Sequence, residues 1–147
     1  MKKFSFTLEK LSRYKEQLLR REKNELARLR KRRQALVEER EDLLARFRQQ
    51  NAAFAVLAAQ GMPREELEAQ KRFLTLLSEQ ARALEAQIQA MDTDIERQLG
   101  VVVEANREVA SLDKLREGQL TAYRQAEQKA EEAFIEEFVA NSSFVRQ

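Results

Sequence analysis

The sequence holds no cysteine and no histidine, with one proline and three glycines in 147 residues. The missing cysteine excludes disulfides and thiolate metal sites. The missing histidine removes the commonest general base and the commonest transition-metal ligand near neutral pH. So few glycines and prolines leave few points where regular structure must stop. No window approaches the roughly 18 consecutive apolar residues that a membrane span needs. The opening MKKFSFTLEK is basic but lacks the apolar core of a secretory signal. These absences read as a soluble, intracellular protein.

What is present is Ala, Leu, Glu, Arg, Lys and Gln, with 35% of residues charged. That composition belongs to long helices or a coiled coil, which bury a thin seam rather than a thick core. The net charge of +2 is unevenly spread. Residues 1–60 carry 16 Lys/Arg against 8 Asp/Glu, a net +8, and residues 61–147 carry 11 against 17, a net −6. A basic half and an acidic half are suited to lying against each other.

In the first half, Leu8, Leu11, Leu18, Leu19, Leu26, Leu29, Leu36, Leu43, Phe47, Phe54 and Leu57 recur mostly at gaps of three, four or seven. This is an apolar stripe at helical spacing, interrupted by Lys15, Glu22, Arg33 and Arg40. The second half is more regular. Leu67, Leu74, Ala81, Ile88, Ile95, Val102 and Val109 fall every seventh residue. Leu77, Leu84, Met91, Ala105 and Leu112 hold the companion position, with Gln98 the polar member, so a heptad seam is sustained.

Between the halves stands AAQGMPREEL. Gly61 suits the left-handed residue that closes a helix, Pro63 suits the first turn of the next, and Glu65 and Glu66 complement that helix's dipole. The expected fold is all-α: an antiparallel two-helix coiled-coil hairpin forming one unit over residues 1–147. Helix 1 is expected over about 5–59, the turn over 60–63, helix 2 over about 64–139 and a tail over 140–147. Paired residues should have numbers adding to roughly 122, with the second helix overhanging the first. The competing arrangement is one continuous helix in a parallel dimer, kinked at Pro63. It keeps a proline inside a helix at about 3 kcal/mol and forgoes the opposite charge of the halves.

Aromatics gather at the two ends of this hairpin. Phe47, Phe54 and Phe73 lie near the turn, and Phe4, Phe6, Tyr14, Tyr123, Phe134, Phe138 and Phe144 lie near the termini. Large side chains seal the ends of a rod, and they also anchor interfaces. The overhang favours an interface role, since a lone helix has nothing in its own chain to cover Phe134 and Phe138. Arg28, Arg30, Lys31, Arg32 and Arg33 read as a solvated face leaning on the acidic helix. They lack the interleaved aromatics and recognition motif of a nucleic-acid site. Glu127, Glu131, Glu132, Glu136 and Glu137 likewise read as a solvated face rather than a metal site, and no phosphate loop or nucleophile motif occurs. Gly100 and Gly118 are candidate bend points within helix 2.

Three stretches together resemble the FliJ family of flagellar export proteins. They are Phe4-x-Phe6-x-Leu8-x-x-Leu11-x-x-Tyr14, then Gly61-x-Pro63-x-x-x-Leu67 followed by Phe73-Leu74-x-x-Leu77, and Leu112-x-x-Leu115-Arg116-Glu117-x-Gln119-x-x-x-Tyr123-x-x-Ala126-Glu127-Gln128. The resemblance spans nearly the whole chain. It implies a soluble stalk of the type III export apparatus, with a shape similar to the central stalk subunit of rotary ATPases. Its implied partners are the hexameric flagellar export ATPase, the export gate membrane protein and export chaperones. It implies a cytoplasmic location, peripheral to the inner membrane at the flagellar base.

By position, Phe73 and Leu77 match the family's gate-contacting pair, with Leu43 and Phe47 nearly opposite on the first helix. Where the family shows first-helix aromatics, this chain has Arg46 and Gln50. Phe4, Phe6, Leu8, Leu11, Leu115 and Tyr123 are the expected ATPase contacts. No catalytic residue, cofactor, metal, small-molecule substrate or nucleic acid is expected, and the chain should be a monomer when dilute. The competing functions are a coiled-coil holdase chaperone or adaptor, the equivalent stalk of an injectisome, and a passive spacer rod.

Overall fold

The computed structural model describes residues 2–146, with side chains described through Ser143. Two helices account for nearly all of it: α1, Glu9–Gln60, and α2, Arg64–Arg146. They form an antiparallel coiled-coil hairpin, and the chain divides into two compact units, Glu22–Val102 and Met1–Arg21 with Val103–Gln147.

The first unit contains the turn. The Ala58 carbonyl accepts from the Gly61 amide at 3.3 Å, and Gly61 adopts φ +90°, a left-handed conformation that L side chains resist. The Leu67 amide then donates to the Pro63 carbonyl at 3.0 Å, opening α2 with Glu65 and Glu66 in its first turn. The core is a line of side chains at alternating three- and four-residue spacing. Leu26, Leu29, Leu36, Leu74, Leu77, Ala81, Leu84 and Ile88 are buried. Leu36, Leu84 and Ile88 cluster, and Val37, Leu43 and Met91 pack on them. Each fully buried Leu or Ile contributes about 1.5–3 kcal/mol.

The charges that interrupt the first-helix stripe occupy seam positions, and α2 answers each one. Gln98 Nε2 donates to the Glu22 carboxylate at 2.6 Å and to the Glu22 carbonyl at 3.0 Å. Arg33 pairs with Asp92, and Arg40 with Glu85. These pairs have residue numbers adding to between 120 and 125, around the register expected from the turn. Pairs this exposed contribute at most about 1 kcal/mol each. Their effect is on register, because a slip would leave each charge facing an apolar neighbour.

The second unit holds both chain ends. Phe6, Ser12, Leu19, Ala105 and Leu112 are buried. Lys15 donates to Glu108 at 2.8 Å, and Glu9 pairs with Arg116. The first helix begins at Glu9 rather than near residue 5. Residues 2–6 instead lie outside regular secondary structure and are held by α2, as detailed below, so tertiary contacts override any local helical tendency. Ser12 takes the seam position where the sequence stripe offers Leu11, and Leu11 is exposed.

The second helix also runs past the expected end at 139, to Arg146. Asn141-Ser142-Ser143 are modest helix formers with no glycine or proline among them, so no residue forces a stop. The Phe144 side chain, counted above among the terminal aromatics, lies outside the described residues.

Gly100 and Gly118 are both helical, and a Cβ at either would meet no atom within 4 Å. Gly100→Ala should therefore raise unfolding free energy by about 0.5–1 kcal/mol. Gly61→Ala should lower it by about 1 kcal/mol or more, because φ +90° strains any L side chain. Urea denaturation followed by circular dichroism at 222 nm (the standard helix band) checks both signs.

Candidate functional site

Of the four residues assigned to the gate, Phe73 alone is largely open to a partner. It is 42% exposed, while Leu77, at 3%, is a seam residue of the core. Leu43 is half-buried against the Leu36 cluster. Phe47 is half-buried and lines a cavity of about 260 Å³ with Arg40, Leu44, Ser78, Ala81, Arg82 and Glu85. Ala81 is a small residue at a seam position, which leaves this space beside Phe47. Arg40 spans the cavity wall, with its guanidinium on Glu85 and Glu41, while its Nε is buried without a hydrogen bond. Those carboxylates hold the Arg40 pKa above its ordinary value, the Glu85 hydrogen bond contributing most.

Sequence reasoning missed Leu76. It is half exposed and lies three residues from Phe73, so the two share a solvent-facing side of α2. The signal was available, since Leu76 is a large apolar residue outside the heptad seam. Val56 and Leu57 near the turn are exposed too.

At the end holding the termini, the expected contact residues divide into a packed group and an open group. Phe6 is buried beneath Arg116, whose guanidinium lies 5.3 Å from the ring centroid, a cation–π geometry. The Phe4 and Tyr123 rings are tilted 58° with centroids 5.7 Å apart. The Tyr123 hydroxyl donates to the Lys2 carbonyl. Burial pushes the Tyr123 hydroxyl pKa up, and the nearby Glu127 charge adds to it. Phe4, Phe6 and Tyr123 thus fasten the N-terminal segment onto α2, and Leu8 is half-buried. Leu11 and Leu115 are the open members, and Tyr14, outside the expected set, is exposed too.

Farther along α2, every residue from Arg124 to Ser143 is exposed except Ser142. Phe134, Ile135, Phe138 and Val139 are the large apolar side chains there. Among the described residues, no acidic group is arranged to hold a metal ion. No helix among them is long and apolar enough to cross a membrane.

The hairpin, its turn and its fastened terminal segment extend over the same residues as one protein family. The family model of the flagellar FliJ protein matches residues 4–147. The chain belongs to the FliJ family. Neither the curated proteins nor the solved structures yield a match to it. Family membership places the chain in flagellar protein export, as a component from a non-enzymatic family.

Stability separates Phe73 from Leu77. Leu77→Ala should cost about 2–5 kcal/mol, as for other buried leucines. Phe73→Ala should stay within about 1 kcal/mol of the parent, since its ring is substantially solvated. Urea midpoints of the two variants check the contrast, and only Phe73→Ala then alters the surface while leaving the fold intact.

Proposed function

We propose that this FliJ-family chain is the stalk of the flagellar export ATPase. In this reading the end holding both termini enters the hexameric ring, and the turn end reaches toward the export gate. The observation that carries the reading is the stretch of α2 beyond Tyr123, exposed almost throughout and studded with large apolar side chains. A helix so exposed is suited to a partner that surrounds it.

The mechanism follows from symmetry. A single helix carrying its apolar residues on one side touches six equivalent subunits unequally. It favours the closed nucleotide site on the side it contacts best, and so speeds hydrolysis while supplying no catalytic group. Leu11, Tyr14 and Leu115 are the contacts nearest the ring mouth, and Phe4, Phe6 and Tyr123 hold that end in shape. Phe73 with Leu76 forms the face offered to the gate, and export chaperones are further partners. The protein then works in the cytoplasm, against the inner membrane at the flagellar base.

The test is steady-state ATP hydrolysis by the cognate export ATPase with and without this chain. Full-length protein should stimulate hydrolysis. Truncation after Gly118 should abolish stimulation, and truncation after Ala126, which keeps the Phe4–Tyr123 contact, should also remove most of it. Full stimulation by both truncated chains would remove the overhang from the mechanism.

A further inference from the structure

The overhanging part of α2 carries a pattern that neither the seam nor the terminal fastening uses. Phe134 and Phe138 stand one turn apart, 69% and 65% exposed, and Ile135 and Val139 beside them are 57% and 58% exposed. At 100° per residue these four occupy about 140° of the helix circumference. Single exposed apolar residues are ordinary, but a contiguous set marks an interaction surface. The set is ringed by carboxylates. Glu127 and Glu131 precede it on the same face, and Glu132 and Glu137 flank it on either side. Residues 127–143 hold five glutamates and one lysine, a net charge of −4. None of the five forms a salt bridge within the described residues.

We propose that this face docks into a protein surface on which basic side chains surround an apolar socket. The proposal rests on the reading that this end of the chain enters a partner, and it adds the chemistry of the receiving surface. Charge complementarity selects that occupant. A second copy of the same segment would set one −4 stretch against another. An anionic lipid surface repels the same carboxylates. The basic run at Arg30, Lys31 and Arg32 of a second copy supplies charge, but the large exposed apolar residues of α1 lie elsewhere, at Leu11, Tyr14, Val56 and Leu57. A basic socket on another protein satisfies both halves of the pattern: the aromatics anchor it and the glutamates set its orientation and approach rate.

The test compares the full-length chain with two variants, Phe134→Ser/Phe138→Ser and Glu131→Lys/Glu132→Lys/Glu136→Lys/Glu137→Lys. All the substituted residues are exposed, so circular dichroism should report the parent helix content for both. Each protein is titrated by calorimetry with the cognate export ATPase, with a helical peptide bearing one Leu and one Lys face, and with the same peptide carrying Glu for Lys. The parent should bind the ATPase and the Lys peptide. Each variant should weaken both by about tenfold or more, and parent affinity should fall as salt rises from about 50 to about 300 mM.

Equal binding of the Glu peptide, or unchanged binding by the charge-reversed chain, overturns the proposal. So does a concentration-dependent dimer, or adsorption to anionic vesicles, that the Phe134→Ser/Phe138→Ser variant abolishes. If the ATPase binds parent and variants alike, the stalk reading stands and the socket chemistry falls. If the ATPase ignores the parent while the Lys peptide behaves as expected, the socket chemistry stands and the ATPase is not its bearer.

Discussion

Four charged side chains, Lys15, Glu22, Arg33 and Arg40, stand on the face of α1 that meets α2, and each must find a polar partner there. They do so in Glu108, Gln98, Asp92 and Glu85. In a parallel pairing of identical chains the same positions would face their own copies, setting Lys15 on Lys15 and Arg33 on Arg33. The antiparallel hairpin is the arrangement that turns these residues from interruptions into pairs. Their energy is small, because the pairs are partly solvated. Their consequence is large, because misregistered charges inside a seam are costly. The apolar layers supply stability, and the polar residues choose which layers meet.

The same logic sorts interior from exterior. Residues in the heptad seam are occupied by the partner helix, so Leu77 serves the fold whatever else the family asks of it, as does Phe6 buried under Arg116. The large apolar residues left open to solvent lie outside the seam: Phe73 and Leu76 in one unit, Leu11, Tyr14 and Leu115 in the other. In the overhang, where the first helix no longer covers the second, apolar residues need no seam position to be available. The exposed Phe134, Ile135, Phe138 and Val139 are the extreme case. Nothing in the fold requires them, and solvent exposure of four large apolar side chains is a standing cost that binding relieves.

The fold of a FliJ-family chain is therefore simple while its surface is specialised. One unit holds an N-terminal segment whose rings pack on Arg116 and Tyr123, and the other contains the glycine–proline turn.

The sequence by itself determined the helices, the turn and the direction of pairing. Heptad spacing, one glycine–proline break and segregated charge are local or one-dimensional signals, and they survive folding unchanged. It also carried the family resemblance in three short stretches. Only the tertiary structure decided which residues are free to bind. The stripe read from sequence placed Leu11 inside and passed over Ser12, because a one-residue rotation of a helix leaves an apolar count nearly unaltered while exchanging buried and exposed faces. The start of α1 at Glu9 was equally illegible, since residues 2–6 are held outside the helix by contacts with residues more than a hundred positions away. Burial is a property of the pair of helices, and no single strand of spacing can report it.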